Sequence, residues 1–443
     1  TDVAAAQPRT LPAVILDGVP GLGLDAALAS EGVGLINIRS VYDTDGVQAT
    51  APAAPDIATL ANPALRTAAQ RPARFLRLEK PVSMPDDDVL DFDNAAFGAT
   101  QYMREILGYA PIEPDGSVVV RVPANVAFQM SIVDSNARRI YPMHRNWLQL
   151  RPGETLKCNG CHDANTTPVR SHGRADLFAS AWLGASSTGV PFPATDPVFS
   201  PNAGDTMAET RARNDARRST IPSMQIRFED VWTNPATAGR AKDASFTYSY
   251  SAPDFTTPAP TSLACIATWS STCRTVINYV AHIERLLVKP RVTLAADLVT
   301  VITDHTCTAC HSRVDVANAN AARVPAASLD LTTQDSNAQP LRKEGYQELL
   351  FTRNELELVG GAVVPRVITT IGPDGQPQQN NATLPAPIAA GNARGSGRFF
   401  DRFATGGTHA SYLTPAELRL MSEWVDIGAQ YFNNPFDPAV PLN

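Results

Sequence analysis

No run of 18 or more apolar residues occurs in the sequence, so no transmembrane helix is expected. Charge is sparse: 37 Lys and Arg stand against 44 Asp and Glu in 443 residues, a formal net charge of -7. That balance disfavours nucleic acid, or an anionic lipid surface, as a partner reached through a basic face. No segment of 20–50 residues repeats, which excludes a solenoid or a propeller. Histidine (7) and cysteine (6) are few, so their positions are informative. What the chain does have is 44% hydrophobic residues, enough for ordinary buried cores, and a length suited to roughly two to four domains. Its 36 prolines sit mostly in Ala/Thr/Pro-rich stretches, read as long irregular connections on a rigid scaffold.

Four of the six cysteines fall in two short motifs, Cys158-Asn-Gly-Cys161-His162 and Cys307-Thr-Ala-Cys310-His311. Two thiols three positions apart, with His next, fit one helical turn. The sulfurs reach the two vinyl groups of a porphyrin as thioethers, and the imidazole ligates the iron from one face. With this composition a chance CxxCH is expected on the order of 0.001 times per chain, so two copies are not accidental. Zinc would need two further ligands near each pair, and neither motif has a second CxxC or an H-x3-H partner. A thioredoxin-like pair has no use for the trailing His. The expectation is two haem c groups, attached at Cys158, Cys161, Cys307 and Cys310, with His162 and His311 as proximal ligands. The other two cysteines, Cys265 and Cys273, are eight residues apart. They are expected to form a disulfide in an oxidising compartment, the alternative being two unrelated buried thiols.

The sixth iron ligand decides what such a centre does. A strong His or Met there gives a saturated iron suited to electron transfer, and an open position invites a substrate. Five histidines remain. For the second haem, His409 is favoured, in the loop Thr405-Gly-Gly-Thr-His409 before the last helix. His282 and Met421 are the alternatives. For the first haem, His144 just before the motif and His172 just after it are candidates, with Met143 and Met130 weaker. His305, beside Cys307, reads as a loop His that could instead reach the other haem. Asp86 to Asp88, with Asp91 and Asp93, reads as a solvated acidic loop rather than a calcium site, because it lacks the turn Gly and closing Glu of an EF-hand.

The expected fold class is α+β: a small antiparallel β-sandwich module followed by largely irregular and helical haem c domains. Strand patterns occur at 34–42, 74–79, 117–122, 126–133 and 139–141, separated by turns such as Pro114-Asp-Gly116 and Asp134-Ser-Asn136. Weaker strands are read at 226–228 and 246–250, and helices at 100–107 and 276–287. The clearest helix is the last. Thr414-Pro-Ala-Glu417 is a capping box, and Leu418, Met421, Trp424 and Val425 follow at helical spacing. The division expected is an N-terminal β or irregular segment (1–70), the sandwich module (71–157), a first haem region with long loops (158–275) and a C-terminal cytochrome c-like domain (276–443).

The stretch from Gly108-Tyr-Ala-Pro to Asp115-Gly-Ser117, Val122-Pro-Ala-Asn125, Trp147-Leu-Gln-Leu-Arg-Pro-Gly-Glu154 and the first CxxCH resembles the haem-bearing region of proteins related to the hydrazine synthase alpha subunit. The resemblance covers about 70–200 well. It is weaker over 275–435, where the residues look like common cytochrome c elements. It implies a periplasmic or surface multihaem cytochrome. Hydrazine synthase itself draws a haem-ligating tyrosine from a β-propeller, for which this sequence has no counterpart, so its reaction is not expected here.

Together these readings give an exported dihaem electron carrier, periplasmic or extracellular, with both irons held by two histidines. It would work with redox partner proteins or within a homo-oligomer or filament. The alternative is a haem oxidoreductase with one open iron acting on a small nitrogen species or peroxide. The chain opens at Thr1 with no signal sequence. Haem c is attached outside the cytoplasm, so a cleaved export signal or a longer precursor is expected.

Overall fold

The computed structural model describes residues 17–82, 103–142, 144, 146–162, 180–340 and 342–431. His172, Met143 and the acidic run at 86–93 lie outside the described residues.

Among the described residues, the main strands of the N-terminal half are β1 (Val33–Ile38), β2 (Phe75–Pro81), β3 (Arg104–Pro111), β4 (Val118–Pro123), β5 (Gln129–Val133) and β6 (Thr155–Cys158). They form two three-stranded sheets, ordered β6-β1-β4 and β3-β2-β5. Alternate residues of both sheets (Ile36, Val120 and Val122 from one, Leu76, Leu78 and Leu107 from the other) meet in one apolar cluster. Alternation sends these residues to the shared core as period-two patterns signal, and the residues between them are mostly buried too.

The structure corrects two sequence expectations. The module is not wholly antiparallel: β6 runs parallel to β1, pairing Thr155 with Leu35 and Cys158 with Ile38. The parallel pairing carries the chain straight from the sheet into the first CxxCH motif. The helix read at 100–107 is instead strand β3 from Arg104 onward, antiparallel to β2. Both faces of β3 are buried, Leu107 and Ala110 in the first cluster and Ile106 and Tyr109 in the second. Tertiary pairing therefore outweighs local propensity. At the β2–β3 irregularity, Gly108 has φ +143° and packs on Pro222 and Trp269. A side chain there would be both strained and crowded.

Five helices position the candidate site and its supports: α1 (Met207–Asn214), α2 (Glu284–Val288), α3 (Cys307–Cys310), α4 (Gly397–Phe400) and α5 (Pro415–Asp426). The helix expected at 276–287 begins later, as a π-helical turn at Tyr279–Ile283 that continues into α2. The capping box of α5 forms as the sequence indicates. The Thr414 side chain accepts from the Glu417 amide, and the Glu417 carboxylate accepts from the Thr414 amide.

Helix α5 is buried on nearly every side, so its polar residues must find partners within the protein. Glu417 takes Lys289 and Arg291, Arg419 pairs with Glu423, and Asp426 meets Arg77 of β2. Tyr109 and Tyr250 both donate to Glu423. Phe75, Ile106 and Tyr109 from the second sheet join Tyr279, Tyr346 and Trp424 in the larger apolar core. The second sheet is thus covered on both faces.

The short strands read at 226–228 and 246–250 pair as Ile226–Phe228 with Phe246–Tyr248. Among the described residues, the longer hairpin pairs Val292–Leu294 with Val301–Asp304, Leu356–Val359 with Ala362–Pro365, and Val367–Ile371 with Pro377–Asn381 had no sequence reading. Cys265 and Cys273 are paired, with Cα atoms 5.6 Å apart. Among the described residues, no helix is long and apolar enough to cross a membrane.

Candidate functional site

The second CxxCH lies on α3, a single turn, as its spacing suggests. It opens onto a cavity of about 900 Å³, within the range of small-molecule and cofactor sites. Cys307, Cys310 and His311 line one part of this cavity. His409 and Tyr412 line it too, and Leu287, Leu329, Leu331, Phe399, Phe403 and Leu413 supply much of its apolar wall. The His311 and His409 rings face each other with centroids 6.1 Å apart and planes 26° from parallel.

That separation can be tested against coordination chemistry. Metal–imidazole bonds of about 2 Å, with about 1.1 Å from each nitrogen to its ring centre, put two axial imidazoles about 6 Å apart. The hydrogen bonds agree. His311 Nδ1 lies 3.1 Å from the Leu329 carbonyl oxygen, and His409 Nδ1 lies 2.8 Å from Thr408 Oγ1. Each ring therefore keeps Nε2 for a metal, with its orientation held by the bond at Nδ1. Burial lowers the pKa of both rings, and Arg402 adds to the effect on His409. The neutral imidazole is the form that ligates. The residues present fit a haem held between His311 and His409.

The first motif departs from the expected helical turn. Cys158 ends strand β6, and the chain then wraps over residues 40–45. The Cys161 amide donates to the Asp43 carbonyl and the Asp45 amide to the Cys161 carbonyl, at 2.8 and 3.1 Å. A Cβ on Gly160 would collide with the carbonyl oxygens of Asp43 and Ser40, so the close approach requires Gly between the two cysteines. Met130, Ile140, Tyr141 and Trp182 pack with Cys158 and Cys161 against the core between the sheets. His144 stands 6.1 Å from His162, ring centre to ring centre, with planes 87° apart. Its Nδ1 lies 2.7 Å from the Asn146 carbonyl oxygen, again leaving Nε2 available.

Burial pushes the Cys161 thiol up to about 12 and raises those of Cys158 and Cys307. Thiols so disposed are poor nucleophiles, which speaks against a thioredoxin-like role for the first motif, where both are raised. Among the described residues, no group of three or more His, Cys, Asp or Glu side chains is arranged to hold a bare metal ion.

The remaining candidates fall elsewhere. His282 is buried at the π-helical turn, where its Nδ1 accepts the Asn278 amide at 3.1 Å. Burial depresses its pKa to about 4, and it does not line the cavity. Met421 sits in the apolar core beside Trp424. His305 lines the same cavity as His311 and stacks on Tyr412 at 3.9 Å. Sequence reasoning missed Arg353, Arg398 and Arg402 at this cavity. The only signal in the sequence is the spacing of Arg398 and Arg402, four residues apart across a short helix.

The region that carries the first site has a recognisable relative. The family model described as the hydrazine synthase alpha subunit middle domain matches residues 75–163. Over that stretch the chain is similar to the hydrazine synthase alpha subunit middle domain. The match begins at β2 and ends at the first CxxCH. Among solved structures, Kuenenia stuttgartiensis hydrazine synthase aligns at 17% identity and TM-score 0.42, over 92% of this chain and 45% of that chain. The protein thus spans less than half the length of the chain it aligns with. A comparison with curated proteins finds no match.

Proposed function

We propose that the protein is an exported dihaem c-type cytochrome that carries electrons. Thioethers at Cys158 and Cys161 and at Cys307 and Cys310 tether the two haems. His162 with His144, and His311 with His409, would hold the two irons. The observation that carries this reading is the meeting of His311 and His409, 6.1 Å apart in the cavity onto which Cys307 and Cys310 open.

When bound, haem iron supplies a one-electron couple. The chain's part is to saturate the metal, fix both imidazole tautomers and exclude water with an apolar wall, conditions that suit electron transfer over substrate binding. The paired Cys265 and Cys273 suit a periplasmic or extracellular setting. Redox partner proteins, or further copies of the chain in an oligomer or filament, would receive the electrons.

A second reading is favoured by the place of the family match, which falls on the first site. If His144 leaves that iron, the open position would take a small nitrogen species or peroxide. Optical spectra of the purified protein, with the mass of the denatured chain, test both. Two covalent haems, low-spin in both oxidation states and silent to carbon monoxide and cyanide, are expected. A chain with the mass of its amino acids alone would end the proposal. A high-spin haem that binds carbon monoxide would favour the second reading.

A further inference from the structure

Building on the proposed haem at the second site, we infer that Arg398 and Arg402 form the anion-binding edge of its cavity and hold the propionate carboxylates of the porphyrin. Three arginines, Arg353, Arg398 and Arg402, line this largely apolar cavity in a chain whose net charge is -7. Among the described residues, Asp304 is the one carboxylate in the lining, and its Oδ1 is engaged by the Thr306 amide.

The three arginines are not equivalent. Arg353 donates to the carbonyls of Ser328, Pro385 and Ala327 at 3.1, 2.8 and 3.1 Å, and so braces the cavity wall. Among the described residues, the guanidinium groups of Arg398 and Arg402 have neither a hydrogen bond nor an ion pair. They lie four positions apart on α4 and the 3-10 turn that extends it, Asp401–Phe403, a spacing that sets both on one side. The Arg402 carbonyl accepts the His409 amide at 2.8 Å, which sets the pair beside the second axial candidate. Arg398 is also near enough to Arg353 to disfavour its charge.

Arg398 and Arg402 are both exposed, and two cations at the rim of an apolar cavity suit a ligand with an apolar body and more than one carboxylate. Guanidinium is the side chain best matched to carboxylate, through paired N–H donors. A porphyrin with two propionates meets both demands.

The test uses the full haem-loaded chain as R398Q, R402Q and the double variant, with R398K/R402K as the charge-preserving control. Spectroelectrochemical titration across pH follows each haem separately. Removing positive charge disfavours the added electron, so each glutamine variant should lower the midpoint potential of one haem and leave the other unmoved. The pH dependence of that potential should shift upward as the propionates lose their counter-charge. The lysine pair should restore most of the potential. Unchanged potentials and pH profiles in both single variants and the double variant would overturn the inference. A parent chain without bound haem would instead overturn the proposed function beneath it.

Discussion

Arg77 and Asp426, 349 residues apart in the chain, meet at 3.2 Å with both side chains fully buried. Arg77 lies on β2 and Asp426 ends α5, so this pair joins the second sheet to the last helix. Glu79 shares the guanidinium at 2.8 Å, and the Asp426 carboxylate also accepts the amides of Arg139 and Ala393. Removing Asp426 leaves Arg77 with Glu79 as its remaining carboxylate partner and strips the Arg139 and Ala393 amides of their acceptor, and breaking a buried pair typically costs about 3–5 kcal/mol. Asp426→Ala should therefore lower the unfolding free energy by about that amount in urea titration. A loss under about 1 kcal/mol would mean that the pair contributes little to the join.

The distal assignments can be separated one haem at a time. With the proposed haems bound, His409→Ala should turn one of them high-spin and open to carbon monoxide, leaving the other unchanged. His144→Ala should do the same to the other haem. If H144A leaves both haems low-spin and closed, the first iron takes a different ligand, and His172 is the remaining histidine candidate.

The two imidazole pairs share a ring separation of 6.1 Å but differ in angle, 26° at His311 and His409 and 87° at His144 and His162. Near-parallel axial rings split the two iron d orbitals that hold the unpaired electron, and perpendicular rings leave them nearly equal. Low-temperature electron paramagnetic resonance of the oxidised protein should show two low-spin signals, one rhombic and one with a large anisotropic g value. H409A should remove the rhombic signal and H144A the anisotropic one. Two rhombic signals would contradict the perpendicular arrangement.

Buried His282 gives a pH dependence of known sign. Its folded pKa of about 4 lies below the ordinary value of 6.5, because burial disfavours the charged ring. Between those values the unfolded chain binds a proton that the folded chain refuses. Stability from this group is full above about 6.5 and falls as pH drops toward about 4. Relative to the parent, His282→Gln should flatten the unfolding free energy across that window. An unaltered slope would place the titrating group elsewhere.

Much of the site was written in the sequence. The two CxxCH motifs and the capped helix α5 are local matters, set by residue spacing along the chain and by a side chain closing on its own helix end. Tertiary packing decided the rest. Residues 104–107 read locally as a helix, yet they form the strand β3 because sheet pairing and two buried faces outweigh a weak propensity. Arg77 and Glu79 alternate with Leu76 and Leu78 as a solvent-facing row would, but α5 covers that face, and only the fold reveals Asp426 opposite. His409 comes to face His311 because segments distant in the sequence fold around a shared cavity, and His144 stands beside His162. No spacing rule reaches across a cavity, since what sets that distance is the packing of every element between the two rings.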